Sequence, residues 1–134
     1  SYHDDPDKAA DSRYLHRGDF QWDQAALCRD ESTLPGRIFQ ALRRLEKIRG
    51  KEQVFRADAE VTLPDSGSDN VLALCRRYGE EELLAFFNFS EYAQTVQCKM
   101  ARFTDLVSGQ QTDGGKISLP GYGFLWLKGT SGNR

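Results

Sequence analysis

The sequence predicts a mainly β fold, an antiparallel β-sandwich entered through one long amphipathic helix, and three observations carry that prediction. Apolar residues recur at helical spacing only over residues 32–50. From Val54 onward the chain breaks into short extended runs separated by glycine-bearing turns. Within those runs Val96, Cys98 and Met100 alternate with Thr95, Gln97 and Lys99, the pattern of a strand with one face on a core and the other in water. With 134 residues, 39% of them apolar, the chain is sized for a single packed core that needs neither metal nor disulfide.

Residues 1–31 show no sustained period; Asp, Gly and Pro scattered through them predict loop, with a short helical piece over Asp23–Arg29. Structureless connections this long are uncommon inside a compact domain and usually belong to a functional site. The helix follows: Ser32 or Thr33 as cap, Pro35 in the first turn, Ile38, Phe39, Leu42, Leu45 and Ile48 on one face, and Gly50 as its end. Arg37, Arg43, Arg44, Lys47 and Arg49 share the other surface with Glu46, which reads as a solvated, carboxylate-paired face. Seven strands are expected: Val54–Leu63, Val71–Tyr78, Glu82–Phe89, Thr95–Met100, Thr104–Val107, Lys116–Leu119 and Gly123–Lys128. Turns are expected at Pro64-Asp65-Ser66-Gly67, Gly79, Ser108-Gly109, Asp113-Gly114-Gly115 and Pro120-Gly121. The run Leu83-Leu84-Ala85-Phe86-Phe87 does not alternate and predicts a central strand buried on both faces. The only candidate linker, Lys51-Glu52-Gln53, is short, so the helix and sandwich are expected to pack directly together.

A net charge of -2 gives no basic field for nucleic acid or anionic lipid, and no apolar run approaches the length of a membrane span. The acidic, polar start predicts no signal peptide. Cys28, Cys75 and Cys98 are odd in number and lack metal-ligand spacing, so they read as free thiols in a reducing, cytoplasmic setting. There is no GxSxG, phosphate loop, dinucleotide fingerprint or HExxH motif. His3 and His16 read as loop residues rather than a catalytic base. The acidic run Asp4, Asp5, Asp7 and Asp11 lacks the glycine of a calcium loop, so neither metal nor cofactor is expected.

Three stretches carry a resemblance: Asp11-Ser12-Arg13-Tyr14-Leu15-His16-Arg17, then Ser32-Thr33-Leu34-Pro35-Gly36-Arg37-Ile38-Phe39-Gln40-Ala41-Leu42-Arg43, then Leu84-Ala85-Phe86-Phe87-Asn88-Phe89-Ser90-Glu91-Tyr92. Together they resemble the C-terminal end of amylosucrases, of the α-amylase family (glycoside hydrolase family 13), and of the closely related sucrose hydrolases. Leu119-Pro120-Gly121-Tyr122-Gly123-Phe124-Leu125-Trp126-Leu127 is similar to the last strand of the C-terminal domain of α-amylase-family enzymes, and Thr104-Asp105-Leu106-Val107-Ser108-Gly109 to the strand before it. The resemblance implies that residues 1–50 are the last loop and last helix of a catalytic (β/α)8 barrel and residues 51–134 an appended Greek-key sandwich of α-amylase type. Active sites of such barrels lie at the C-terminal ends of the strands, where this loop emerges.

Arg13 matches the family arginine that lines the floor of the glucosyl pocket and pairs with an aspartate from elsewhere in the barrel, which makes it the one substrate-binding residue implied here. The implied chemistry is that of a retaining glycosidase: an aspartate attacks the anomeric carbon of sucrose, a glutamic acid protonates the departing fructose, and the glucosyl-enzyme passes to an α-glucan or to water. In the family both carboxylates lie upstream in the barrel, so no catalytic residue is expected in this chain, and Asp105 and Glu91 take neither role. The partner implied is the remainder of the parent enzyme, through which sucrose and α-glucan would be bound, and the chain alone is expected to be inert. Gly18 stands where the family more often has proline, and the acceptor stays open between glucan and water. A reading from another class, a carbohydrate-binding or interaction sandwich without a catalytic parent, needs exposed aromatics. Phe86, Phe87, Phe89, Phe124 and Trp126 lie in apolar runs that read as core, which leaves Tyr78, Tyr92 and Tyr122, near turns, as stacking candidates.

Overall fold

The computed structural model describes residues 4–11, 13 and 21–130. The chain falls into two compact units, Ser1–Leu42 and Arg43–Arg134. His3, His16 and most of the Asp11–Arg17 stretch lie outside the described residues.

In the first unit a short helix, α1 (Pro6–Ala9), is capped by the Asp5 carboxylate, which accepts from the amides of Asp7 and Lys8. The helical piece expected at Asp23–Arg29 is a 3-10 helix over Trp22–Arg29. The long helix α2 spans Leu34–Lys51. Of the two candidate caps Thr33 serves: its Oγ1 accepts from the Gly36 amide at 3.1 Å and donates to the Asp30 carbonyl at 2.7 Å, while Ser32 is held by Asp30. Gly36 is required there, since a Cβ would lie 1.8 Å from the Asp30 carbonyl oxygen. Gly50 does not end the helix, which runs on through Lys51 before Glu52 turns extended.

Gly36 is the only buried residue of α2. Ile38, Phe39 and Leu42, on the face expected to be apolar, are 52%, 42% and 58% exposed. Such a stripe drives association in water. Light scattering of the isolated chain is therefore expected to report oligomers or aggregates, and Phe39→Lys with Leu42→Glu to reduce them without lowering the thermal midpoint.

Among its described residues the second unit holds six strands: β1 (Glu60–Thr62), β2 (Val71–Tyr78), β3 (Glu81–Asn88), β4 (Gln94–Asp105), β5 (Gln111–Leu119) and β6 (Phe124–Thr130). They form one antiparallel sheet in the order β1-β2-β3-β6-β4-β5, so that β6, last in sequence, returns to lie between β3 and β4. The β4–β6 pairing is brief, Thr104 to Lys128 and Asp105 to Leu127. Beyond it the sheet folds over. Leu84 and Phe86 of β3 share a core with Val96, Cys98 and Phe103 of β4, although β6 separates the two strands in the sheet. The result is a sandwich whose layers, β1-β2-β3-β6 and β4-β5, face one another across that core.

Four sequence expectations are corrected here. Among the described residues there are six strands, not seven. The run Val54–Leu63 is not one strand: Gln53–Phe55 is a 3-10 turn, and only Glu60–Thr62 is extended. The turn is held because Arg76 on β2 donates to the carbonyls of Val54 and Arg56, both at 2.7 Å, while Val54 is fully buried. The pieces Thr95–Met100 and Thr104–Val107 are one strand carrying an irregularity between Cys98 and Arg102. Asp113-Gly114-Gly115 is therefore no hairpin turn but lies inside β5, opposite this bulge. Gly114 permits the fit, because a Cβ would stand 1.7 Å from the Met100 carbonyl oxygen. The hairpin turn itself uses the expected Ser108-Gly109, with Gly109 at φ 76.

The expectation for Leu83–Phe87 is met. Leu83, Leu84, Ala85 and Phe86 are all buried. One side of β3 faces the inter-layer core, and the other is covered by the Val54–Phe55 turn, which packs on β2 and β3 and sets Phe55 4.9 Å from Trp126. Asn88 ends the strand as a buried polar knot: its Nδ2 donates to the carbonyls of Tyr92 and Pro120 at 2.8 and 2.9 Å, and its Oδ1 accepts from the Ser90 amide and hydroxyl. Asn88→Ala removes these bonds from a buried position, the Ser90 amide losing its acceptor, and is expected to cost about 2–4 kcal/mol in chemical denaturation.

Candidate functional site

Arg13 is fixed by its own neighbourhood. The Asp11 carboxylate accepts from the Arg13 backbone amide at 3.0 Å, from Nε at 3.0 Å and from Nη2 at 2.6 Å, a forked pair that stiffens the guanidinium and leaves Nη1 for another acceptor. The Arg13 side chain is 75% exposed. Among the described residues its partner is Asp11, two positions away in sequence. The Arg13 side chain, and then its amide, hold the Asp11 carboxyl below the usual aspartate value of 3.8, and the same bond raises Arg13.

A carboxyl depressed in this way keeps its charge and its hold on Arg13 at neutral pH and above 3.8, and loses them only as pH falls through the lowered value. In a carbon-detected NMR titration Asp11 is expected to protonate below 3.8, and Arg13→Ala to move that midpoint upward.

Of the other carboxylates weighed from sequence, one has a structural role. Asp105 accepts from the amides of Val107 and Ser108 and from the Ser108 hydroxyl, closing the β4–β5 turn. Glu91 is exposed on the loop after Asn88. Cys75 and Cys98 are buried free thiols whose ionisation burial pushes up, and Cys28 is free and half-buried. The described residues contain no cluster of His, Cys, Asp and Glu fit to hold a metal, and no helix long and apolar enough to cross a membrane.

The aromatic side chains divide differently from expectation. Phe86 is core, but Phe89 is 70% exposed, and Phe124 lies on the outer face of the sheet, stacked on Phe87 at 6.4 Å. Tyr92 and Tyr122 are exposed, whereas Tyr78 is half-buried beneath the Arg56 guanidinium at 5.0 Å. Phe89, Tyr92 and Tyr122 sit on loops tied together through Asn88 and the Tyr122 amide bond to the Ser90 carbonyl. Tyr122 adopts φ 54, a left-handed backbone uncommon for a residue other than glycine. The sequence did hold a signal for Phe89: with Phe86 inside and Asn88 turned inward to bind loop carbonyls, strict alternation sends residue 89 outward.

No family model matches the sequence. Solved structures do. An α-amylase of Anoxybacillus matches 73% of this chain with a TM-score of 0.61 at 15% identity. The architecture is the α-amylase-type sandwich. An α-amylase of Geobacillus thermoleovorans, complexed with acarbose, matches 68% with a TM-score of 0.58 at 18% identity, and a trehalulose synthase variant 68% with 0.59 at 16%. The matches cover 23%, 22% and 18% of those chains, so this chain spans about a fifth of their length.

Proposed function

We propose that this chain is the C-terminal part of a carbohydrate-active enzyme of the α-amylase family, an amylosucrase-like glucosyltransferase that cleaves sucrose and passes glucose to an α-glucan, with a sucrose hydrolase as its near variant. The observation that carries the reading is the amylase-type sandwich joined, in one chain, to the Asp11–Arg13 and Asn88–Tyr92 stretches that resemble amylosucrases. In this reading residues 1–50 complete the catalytic barrel, residues 51–134 are the appended domain, and the nucleophile and acid come from the rest of the enzyme.

The part assigned to this chain is positional. Asp11 orients the Arg13 guanidinium, and Nη1 donates to a glucosyl hydroxyl or to a pocket carboxylate. A second reading, a glucan-binding sandwich, is favoured by the exposed Phe89, Tyr92 and Tyr122 on their braced loops.

The isolated chain is expected to release no fructose from sucrose. In the longer polypeptide that contains it, Arg13→Ala is expected to lower kcat/KM for sucrose about ten- to a hundredfold, the worth of one charged hydrogen bond. Fructose release by the pure 134-residue chain, or an Arg13→Ala enzyme with unchanged kcat/KM, overturns the first reading. Saturable heat on titrating malto-oligosaccharides into the chain, abolished by Tyr122→Ala, establishes the second.

A further inference from the structure

The two layers of the sandwich turn unlike faces away from their shared core. On β4 the outward positions are Thr95, Gln97 and Lys99, a face made for water. On the other layer the register sets Leu72, Phe87 and Phe124 side by side across β2, β3 and β6, with Leu74, Ala85 and Trp126 in the next row. The residues that alternate with them, Ala73, Cys75, Phe86 and Leu127 among them, fill the core, so both rows point outward. No polar side chain interrupts either row. The second row is covered in part by this chain itself: the Gln53–Phe55 turn packs on β2 and β3 and brings Phe55 to 4.9 Å from Trp126. The first row is not, and Leu72 is 42% and Phe124 37% exposed. Beside it runs a groove of about 460 Å³, bordered by Val61, Leu74, Phe87 and Trp126 and, from the last turns of α2, by Arg49. A continuous apolar surface of this kind marks a docking site.

What already lies on this face identifies the occupant. The Gln53–Phe55 turn continues directly from α2 through Glu52, so the cover of the second row arrives from the helix assigned above to the catalytic barrel. A saccharide finds no hydrogen-bonding side chain in either row, and the two arginines of the groove already bond elsewhere, Arg76 to the carbonyls of Val54 and Arg56 and Arg49 to Glu46. In the similar solved structures the shared part is about a fifth of the chain, which leaves ample polypeptide to extend such a cover. We propose that the row Leu72–Phe87–Phe124 is the seat of the catalytic barrel in the longer polypeptide, taking an apolar helix face that continues the cover begun by the Gln53–Phe55 turn. The proposal rests on the reading of this chain as the end of an α-amylase-family enzyme, and is independent of Arg13 and of sucrose as the substrate.

N-ethylmaleimide labelling of Leu72→Cys, read at that peptide by mass spectrometry, tests this in the longer polypeptide and in the 134-residue chain. The introduced thiol is expected to react about tenfold or more slowly in the longer polypeptide, where the face is covered. Leu72→Lys is expected to lower the thermal midpoint of the longer polypeptide and to leave that of the 134-residue chain unchanged, because only the first buries the charge. Equal labelling rates in the two, or an equal effect of Leu72→Lys on both, overturns the proposal. So does labelling of the shorter chain that is already slow and quickens on dilution, which marks a second copy as the occupant, or that malto-oligosaccharide slows, which marks a glucan. Fructose release, measured on the same longer polypeptide, reads the substrate separately: protection at Leu72→Cys without fructose release upholds the docking face and removes the sucrose reading.

Discussion

Over Leu83–Phe86, β3 has water on neither face, and most of the second unit is arranged to supply the two coverings it needs. One is the β4-β5 layer, which meets Leu84 and Phe86. The other is the Val54–Phe55 turn with Trp126, over Leu83 and Ala85. Burying a strand twice adds apolar stabilisation at roughly 25 cal/mol per Å² on each face, but it obliges the polypeptide to bring a second layer around the edge of the sheet. The fold-over between β6 and β4 and the Arg76 clamp on the turn meet that obligation.

How much of this is legible in the sequence depends on the range of the interaction that decides it. Period and composition decided the helix, the alternating half of β4 and the doubly buried β3, because each is set by which side of one element meets water. The Thr33 cap was legible in part, as one of two candidates. The failures are non-local. Val54, Phe55 and Val61 have the composition of a strand, yet the first two are held in a turn by an arginine more than twenty residues away. Gly114 and Gly115 read as a hairpin turn because glycine pairs usually are one; here the glycine admits the Met100 carbonyl of a bulge, a contact visible only once the register of two strands is known.

The candidate site was legible only through resemblance. Nothing in the spacing of Asp11 and Arg13 distinguishes a substrate-directed guanidinium from a surface ion pair, and an exposed pair of this kind contributes little to stability. What the structure adds is that Arg13 is already oriented by Asp11, with Nη1 not bonded to any of the described residues. The aromatic trio at the other unit follows the same logic in reverse: Asn88, buried and fully bonded, fixes the loops that carry Phe89 and Tyr92, so their exposure is imposed by a polar side chain rather than by their own preferences.

The brief ladder between β4 and β6 has a consequence in time. β6 is the strand that joins the two layers, and it follows every other strand in the sequence. During synthesis the β4–β5 hairpin and the β1-β2-β3 meander can each pair locally as they emerge, but β3 keeps an open, largely apolar edge until residues 124–130 leave the ribosome. Closure therefore waits on the last strand, and for that interval the nascent chain presents the kind of unpaired edge on which chaperones and misassembly compete.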